Sequence, residues 1–205
     1  MGAESVTVCF TGNPNCGKTT LFNAYTGAGK KTANWPGVTV ALSEGSLMHR
    51  GRLVHLVDTP GIYSLDPYTM EETVTRQCIR DQKADVIIHV ADALLLERSL
   101  FLTMQLLAEG KPLVLALNMM DLVRERGMDI DIGRLSRLLG GIPVIPVSAR
   151  RRTGLEELMD AAVEAARARR MADGSGRFVS GARYSVYRSH SAHSDGPAYG
   201  DGPSG

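Results

Sequence analysis

A chain of 205 residues, 43% of them hydrophobic, can bury one good core with a small appendage. Its formal net charge of +1 gives no general electrostatic attraction to nucleic acid or to an anionic membrane. Cys9, Cys16 and Cys78 are odd in number, widely spaced and outside any CxxC or Cys/His metal spacing, which excludes a disulfide framework and points to a reduced, cytoplasmic protein. The N-terminus lacks the basic-then-apolar layout of a signal peptide, and no apolar run approaches the roughly 18–20 residues that cross a bilayer, so a soluble chain is expected.

In chain order, the apolar run 6–10 predicts a strand and 20–25 a helix. Between them, Gly12-Asn13-Pro14-Asn15-Cys16-Gly17-Lys18-Thr19 fits G-x-x-x-x-G-K-[ST], a loop that wraps phosphates when it joins a strand to a helix. Gly12 and Gly17 let the backbone turn its N–H groups inward, and the helix N-terminus, with Thr20 in its first turn, adds partial positive charge. Lys18 can reach the outer phosphates, and the Thr19 hydroxyl can ligate Mg²⁺. Asn13 and Cys16 lie in the same loop, with Cys16 read as a passive filler rather than a reactive thiol.

Residues 38–47 and 53–57 predict two strands joined by the turn His49-Arg50-Gly51. The runs 85–90, 113–117 and 142–147 predict buried parallel strands, because a strand covered on both faces is continuously apolar. Leu96, Leu100, Met104 and Leu107 recur at helical spacing, as do Leu135, Leu138 and Leu139; Leu155, Leu158, Met159, Ala162, Val163 and Ala166 stripe a last helix. These stripes are read as core, and His89 as a hydrogen-bonded core residue rather than a ligand. The pattern gives an α/β domain of three layers with a mainly parallel, six-stranded sheet over residues 1–171. Residues 172–205, rich in Gly and Ser and without periodicity, are expected to form a disordered tail, in which His190 and His193 are incidental.

Three further segments fall at strand ends, where a nucleotide would lie. In Asp58-Thr59-Pro60-Gly61, Asp58 can hold Mg²⁺ through water and the Gly61 N–H can meet a γ-phosphate. Asn118-Met119-Met120-Asp121 is similar to the N-K-x-D guanine motif: the Asp121 carboxylate accepts from guanine N1–H and its 2-amino group, and adenine would leave it unpaired. Asn118 would bridge base and phosphate loop. Ser148-Ala149-Arg150 is similar to the S-A-K loop, in which a backbone N–H reads guanine O6. Met119 replaces the usual Lys, keeping an apolar cover for the base and losing an ammonium, so weaker affinity and fast exchange are expected. Four motifs in this order predict a P-loop GTPase of the Ras-like G-domain type, binding GTP and GDP with Mg²⁺.

Asn34-Trp35-Pro36-Gly37-Val38-Thr39-Val40 makes the match specific. With Gly12 to Thr19, Asp58-Thr59-Pro60-Gly61-Ile62-Tyr63-Ser64-Leu65, and Asp92-Ala93 followed by Leu96-Glu97-Arg98-Ser99-Leu100, the chain resembles the G domain of the ferrous iron transporter B (FeoB) family over roughly residues 4–170. In that family the G domain is the cytoplasmic head of a membrane Fe²⁺ transporter, followed by a helical domain and a membrane region. The resemblance implies a membrane iron permease, or the remaining transporter part, as partner at the inner face of the membrane, and no nucleic acid. It implies that Thr39 closes on Mg²⁺ and the γ-phosphate. It further implies that Asn15 ligates an activating K⁺, with backbone carbonyls around Ala33 and Trp35; a turn-forming role for Asn15 stays open. A monovalent cation would supply the charge that an arginine finger supplies elsewhere. Ile62 stands where Ras-like enzymes carry a water-orienting Gln. Glu71 and Glu72 match a family pair linked to turnover, and equally suit a solvated helix start. The resulting expectation is a slow, Mg²⁺-dependent, K⁺-stimulated GTPase coupled to Fe²⁺ uptake. The alternatives are a module that senses nucleotide state with negligible hydrolysis, or a free-standing GTPase of ribosome or tRNA maturation.

Overall fold

The computed structural model describes residues 5–27, 29–34, 40–80 and 84–174. Seven strands form one sheet: β1 (Val6–Gly12), β2 (Lys31–Asn34), β3 (Ala41–His49), β4 (Arg52–Asp58), β5 (Val86–Asp92), β6 (Leu113–Asn118) and β7 (Val144–Pro146). The spatial order is β2-β3-β4-β1-β5-β6-β7. From β4 to β7 all neighbours are parallel, whereas β3 runs antiparallel to both β2 and β4. The helices are α1 (Lys18–Thr26), α2 (Met70–Arg80), α3 (Leu96–Ala108), α4 (Met120–Glu125), α5 (Ile132–Leu138) and α6 (Leu155–Gly174).

Alternation along the central strands divides the core between the two faces of the sheet. Val86, Ile88 and Val90 pack with Leu21 and Phe22 of α1 and with Leu158, Met159 and Ala162 of α6. Ile87 and Ala91 pack with Ile79 of α2 and with Leu102 and Leu106 of α3. Burial on both faces is why these strands read as unbroken apolar runs. The fully buried Phe10 meets Phe22 edge to face, ring centroids 6.0 Å apart. Between β3 and β4, Arg50 and Gly51 both have positive φ (46° and 76°), the backbone of a two-residue hairpin turn that follows the strand twist.

Two expectations are corrected. The sheet has seven strands instead of six, because β2 is an edge strand whose Lys31 and Thr32 are exposed and which therefore carries no apolar signal. The helical stripes have the right period, and Leu96, Leu100 and Leu107 pack at the margin of the core, but the fully buried line is not always the expected one. On α3 the buried line is Ser99, Leu102, Thr103 and Leu106, while Met104 is 58% exposed; Leu138 is 74% exposed beside buried Leu135 and Leu139. Burying Ser99 and Thr103 is tolerable because each hydroxyl donates to the carbonyl four residues back, at 3.3 and 3.1 Å. Thr103 Oγ1 also lies 3.0 Å from Nδ1 of His89, which is fully buried, as the core reading required. The α6 stripe is buried as expected, with Leu155 at its margin. Residues 175–205, including His190 and His193, lie outside the described residues.

Candidate functional site

The site lies along the C-terminal ends of the parallel strands, where β1, β4, β6 and β7 release their chains into loops. β1 ends at Gly12, and a Cβ there would lie 2.5 Å from the Val90 carbonyl oxygen, so only glycine lets the loop leave between β1 and β5. Asn15 and Gly17 take left-handed backbone, with φ of 66° and 85°. Gly17 precedes α1 without a side-chain cap, which leaves the first-turn N–H groups, Thr20 included, open to an anion. Asn15 is exposed, whereas Cys16 points inward and is buried in the α1/α6 core. Burial raises the Cys16 thiol to about 11, which makes it the filler expected and not a thiolate nucleophile. Asn13 is buried, its Nδ2 donating to the Arg98 carbonyl at 3.5 Å while Oδ1 has no hydrogen-bond partner among the described residues.

Lys18, Thr19 and Asp58 converge. The Lys18 ammonium pairs with Asp58 Oδ1 and donates to the Thr59 carbonyl, and the Thr19 hydroxyl donates to Asp58 Oδ2 at 3.1 Å. A hydroxyl and a carboxylate placed together are the hard oxygen donors that Mg²⁺ prefers. The loop after β4 is tied to the same place: the Thr59 N–H and hydroxyl both donate to the Phe10 carbonyl, at 3.1 and 2.9 Å, and the Ile62 N–H donates to the Gly12 carbonyl at 3.1 Å. A Cβ on Gly61 would come within 3.1 Å of Pro14 Cα, so this glycine lies directly against the phosphate loop. Ile62 turns into the α2/α3 core and is only 2% exposed. Lys18, Thr19, Ala41, Asp58, Gly61 and Glu71 are among the walls of a cleft of about 580 Å³.

Glu71 and Glu72 have different surroundings. Glu71 borders the cleft. Glu72 closes a capping box: its carboxylate accepts from the Tyr68 and Thr69 N–H groups at 3.1 and 2.9 Å, and its own N–H donates to Thr69 Oγ1 at 3.2 Å.

At the end of β6, Asn118 Nδ2 donates to the Cys16 carbonyl of the phosphate loop at 2.9 Å, and Asn118 Oδ1 accepts the Ala149 N–H at 3.0 Å. Met119 takes left-handed backbone (φ 67°) where α4 begins, and it is half-buried. Asp121 is buried in the first turn of α4. Burial pushes its carboxyl upward, but hydrogen bonds from Ser148 and the local backbone, together with the Arg151 charge, leave it below the ordinary carboxylate value and hence ionised. Ser148 and Ala149 are buried, and Arg150 is exposed. The guanidinium beside Asp121 belongs to Arg151, 3.5 Å away and also paired with Glu125. In the run Arg150-Arg151-Arg152 nothing in the sequence marks which arginine faces the carboxylate. Gln105 of α3, bonded to the loop after Gly61, is the other residue the sequence did not reveal; its lone amide in a helical stripe carried no signal. Thr39 and Trp35 lie outside the described residues, and Ala33 is described only as part of β2.

The cleft thus gathers groups suited to an anion and a divalent cation. The end of β6, joined to the phosphate loop by Asn118, presents an ionised carboxylate, which suits a base with adjacent donors.

Residues 6–162 match the family model described as ferrous iron transport protein B. The Fe(2+) transporter FeoB of Legionella pneumophila (strain Paris) is 47% identical over 151 residues, covering 72% of this chain and 20% of that protein. An Fe(2+) transport protein A/Fe(2+) transporter FeoB fusion protein of Porphyromonas gingivalis is 43% identical over 156 residues, 76% of this chain and 18% of that protein. The chain spans about a fifth of the length of these curated relatives. Among solved structures, the cytosolic domain of the T. maritima FeoB iron transporter in a GDP form superposes with a TM-score of 0.78 at 41% identity, covering 81% of this chain and 65% of that one. The G domain of the T. maritima transporter superposes with a TM-score of 0.74 at 40% identity, covering 80% of this chain and 99% of that one. The fold is accordingly the three-layer P-loop GTPase fold of a G domain, and the chain belongs to the ferrous iron transport protein B family.

Proposed function

We propose that this chain binds GTP and GDP, hydrolyses GTP slowly, and acts as the cytoplasmic G domain of a ferrous iron transport system. The observation that carries the reading is the Asn118 carboxamide, which joins the phosphate loop at Cys16 to the base loop at Ala149 and so makes one continuous site from two motifs. The GDP form of the T. maritima relative supports it.

In this reading the N–H groups of the loop from Gly12 to Thr20 and the Lys18 ammonium hold the phosphates, and Asn13 lines the loop. Thr19 and Asp58 would hold Mg²⁺, with Thr39 as the switch threonine; the ion neutralises phosphate charge when bound. Gly61 offers its N–H to the γ-phosphate from a fixed seat on Pro14. Glu71, on the cleft wall, is the acidic residue placed to affect turnover, while Glu72 acts on it through the helix cap. Asp121 reads guanine N1–H and the 2-amino group, a backbone N–H of the Ser148-Ala149-Arg150 loop reads O6, and Met119 covers the base. Asn15, exposed at the rim, is the proposed K⁺ ligand, with carbonyls near Ala33 and Trp35.

Transport of Fe²⁺ as cargo, and location at the inner face of the membrane, are assigned through a membrane permease or the remainder of a longer transporter. Among the described residues no helix is long and apolar enough to cross a membrane. The burial of Ile62, which removes the usual water-orienting position from the cleft, favours slow turnover and keeps a nucleotide-sensing module as the second reading. Single-turnover GTP hydrolysis in KCl and in NaCl decides between them. Slow phosphate release, faster in KCl, is expected; tight GTP binding with no release in either salt selects the sensing module.

A further inference from the structure

The segment between β4 and α2, tied at Thr59 to the Phe10 carbonyl, is fastened again at two points three residues apart. At the first, the Ile62 N–H donates to the Gly12 carbonyl at 3.1 Å. At the second, the Leu65 N–H donates to Gln105 Oε1 on α3 at 2.9 Å. The same carboxamide turns its Nε2 to Ser64 Oγ at 3.0 Å and Asp66 Oδ2 at 3.2 Å. Ser64 in turn donates to Asp66 Oδ2 at 2.9 Å and accepts the Asp66 N–H at 3.0 Å. The partners dictate the orientation of the amide, since a backbone N–H can meet only its oxygen and an ionised carboxylate only its nitrogen.

A second contact from α3 reaches the same segment. The Arg98 guanidinium lies 4.2 Å above the Tyr63 ring, and the Arg98 carbonyl accepts from Asn13 Nδ2 of the phosphate loop. The α3 helix therefore touches both sides of the place where Gly61 meets Pro14. Gln105 is not among the residues that line the cleft, and its carboxamide is already engaged by Leu65, Ser64 and Asp66.

On the GTPase reading above, we propose that Gln105 is a positioning residue that pins residues 64–66 to α3 and thereby holds the Gly61 N–H ready for the γ-phosphate. Its physical basis is preorganisation. A segment already tied at Ile62 and Leu65 loses little further freedom when the transition state forms, so its N–H dipole needs no costly rearrangement. Asp66 is exposed, so that hydrogen bond contributes little by itself; the Leu65 N–H bond is the one that sets the backbone.

The test compares wild type, Gln105→Ala, Gln105→Glu, and Gln105→Glu combined with Asp66→Asn. Amide hydrogen exchange is followed with and without GDP, alongside single-turnover GTP hydrolysis and nucleotide affinity. For Gln105→Ala, exchange across residues 63–66 is expected to quicken on the order of tenfold and the hydrolysis rate constant to fall by a similar factor, as one lost hydrogen bond implies. GTP and GDP affinities should stay within about twofold, because a positioning effect separates rate from binding. Gln105→Glu sets a carboxylate against Asp66 and should be at least as slow. Adding Asp66→Asn reverses the donor sense of the pair and should recover most of the rate. Unchanged exchange in Gln105→Ala overturns the proposal, as does a rate loss that only follows affinity. A wild-type chain that hydrolyses no GTP would defeat the GTPase reading instead, and the exchange comparison would still decide whether Gln105 pins the segment.

Discussion

Asn118 Nδ2 donates to the Cys16 carbonyl at 2.9 Å, across 102 positions of sequence. The same contact explains Gly17: a Cβ there would lie 2.3 Å from Asn118 Nδ2, so the phosphate loop has no room for a side chain at the point where the base strand reaches it. The end of β6 therefore braces the phosphate loop, and the geometry of that loop depends on the strand that carries Asn118.

Asn118→Ala removes both hydrogen bonds of a buried carboxamide and leaves the Cys16 carbonyl and Ala149 N–H in need of partners. A loss of about 2–3 kcal/mol in stability is expected, measured by urea unfolding without nucleotide. GTP affinity should fall by at least about a hundredfold; a stability loss under about 0.5 kcal/mol together with an affinity change under about twofold would show that the brace is not real.

Lys18→Ala should abolish nucleotide binding, because the ammonium is the one flexible cation among the cleft-lining residues. Calorimetric titration with GDP checks it. Micromolar affinity retained by the variant would mean that the loop does not hold phosphates.

Asp121→Asn exchanges an acceptor for a group that is half donor. Guanine should then bind at least about a hundredfold more weakly, whereas xanthine, which presents an acceptor in place of the 2-amino group, should bind better than in wild type. The carboxyl of Asp121 lies below its ordinary value, so it is charged near neutrality. The fold difference in GTP affinity between wild type and Asp121→Asn should accordingly be flat between about pH 5.5 and 8 and shrink only on acidification through the lowered folded value. Competition of labelled GDP by GTP and XTP across that range measures both.

Asn15→Ala should erase acceleration by K⁺ while leaving nucleotide affinity within a few-fold, since Asn15 sits at the exposed rim. Hydrolysis rates in KCl and NaCl are the readout. Potassium acceleration that survives in the variant would place the ion elsewhere.

His89 gives a separate pH signature. Burial alone lowers its pKa from 6.5 to about 3, so in the folded chain it stays neutral while the unfolded chain takes up a proton below pH 6.5. The sign follows: this histidine costs stability as pH falls through the unfolded value, and the cost grows until the folded value is reached. Between pH 6.5 and 5 the expected loss is about 2 kcal/mol from this one group. His89→Gln should flatten the unfolding free energy over that interval relative to wild type; parallel profiles would show that His89 is charged in the fold.

The sequence by itself determined the strand–loop–helix of Gly12 to Thr19, the buried parallel strands and the α6 stripe, because each is local: a spacing or a period. Edge strand β2 was illegible because its stability comes from pairing with β3 and not from apolar side chains. The phase of α3 was illegible because Ser99 and Thr103 become acceptable in the core only once their hydroxyls find carbonyls four residues back. Tertiary structure alone set Glu71 on the cleft wall, chose Arg151 over Arg150 as the neighbour of Asp121, and brought Gln105 to the loop after Gly61. The Arg151 and Gln105 contacts are long-range, fixed by how helices settle on the sheet, whereas the Glu72 capping box is local and follows the T-x-x-E spacing from Thr69.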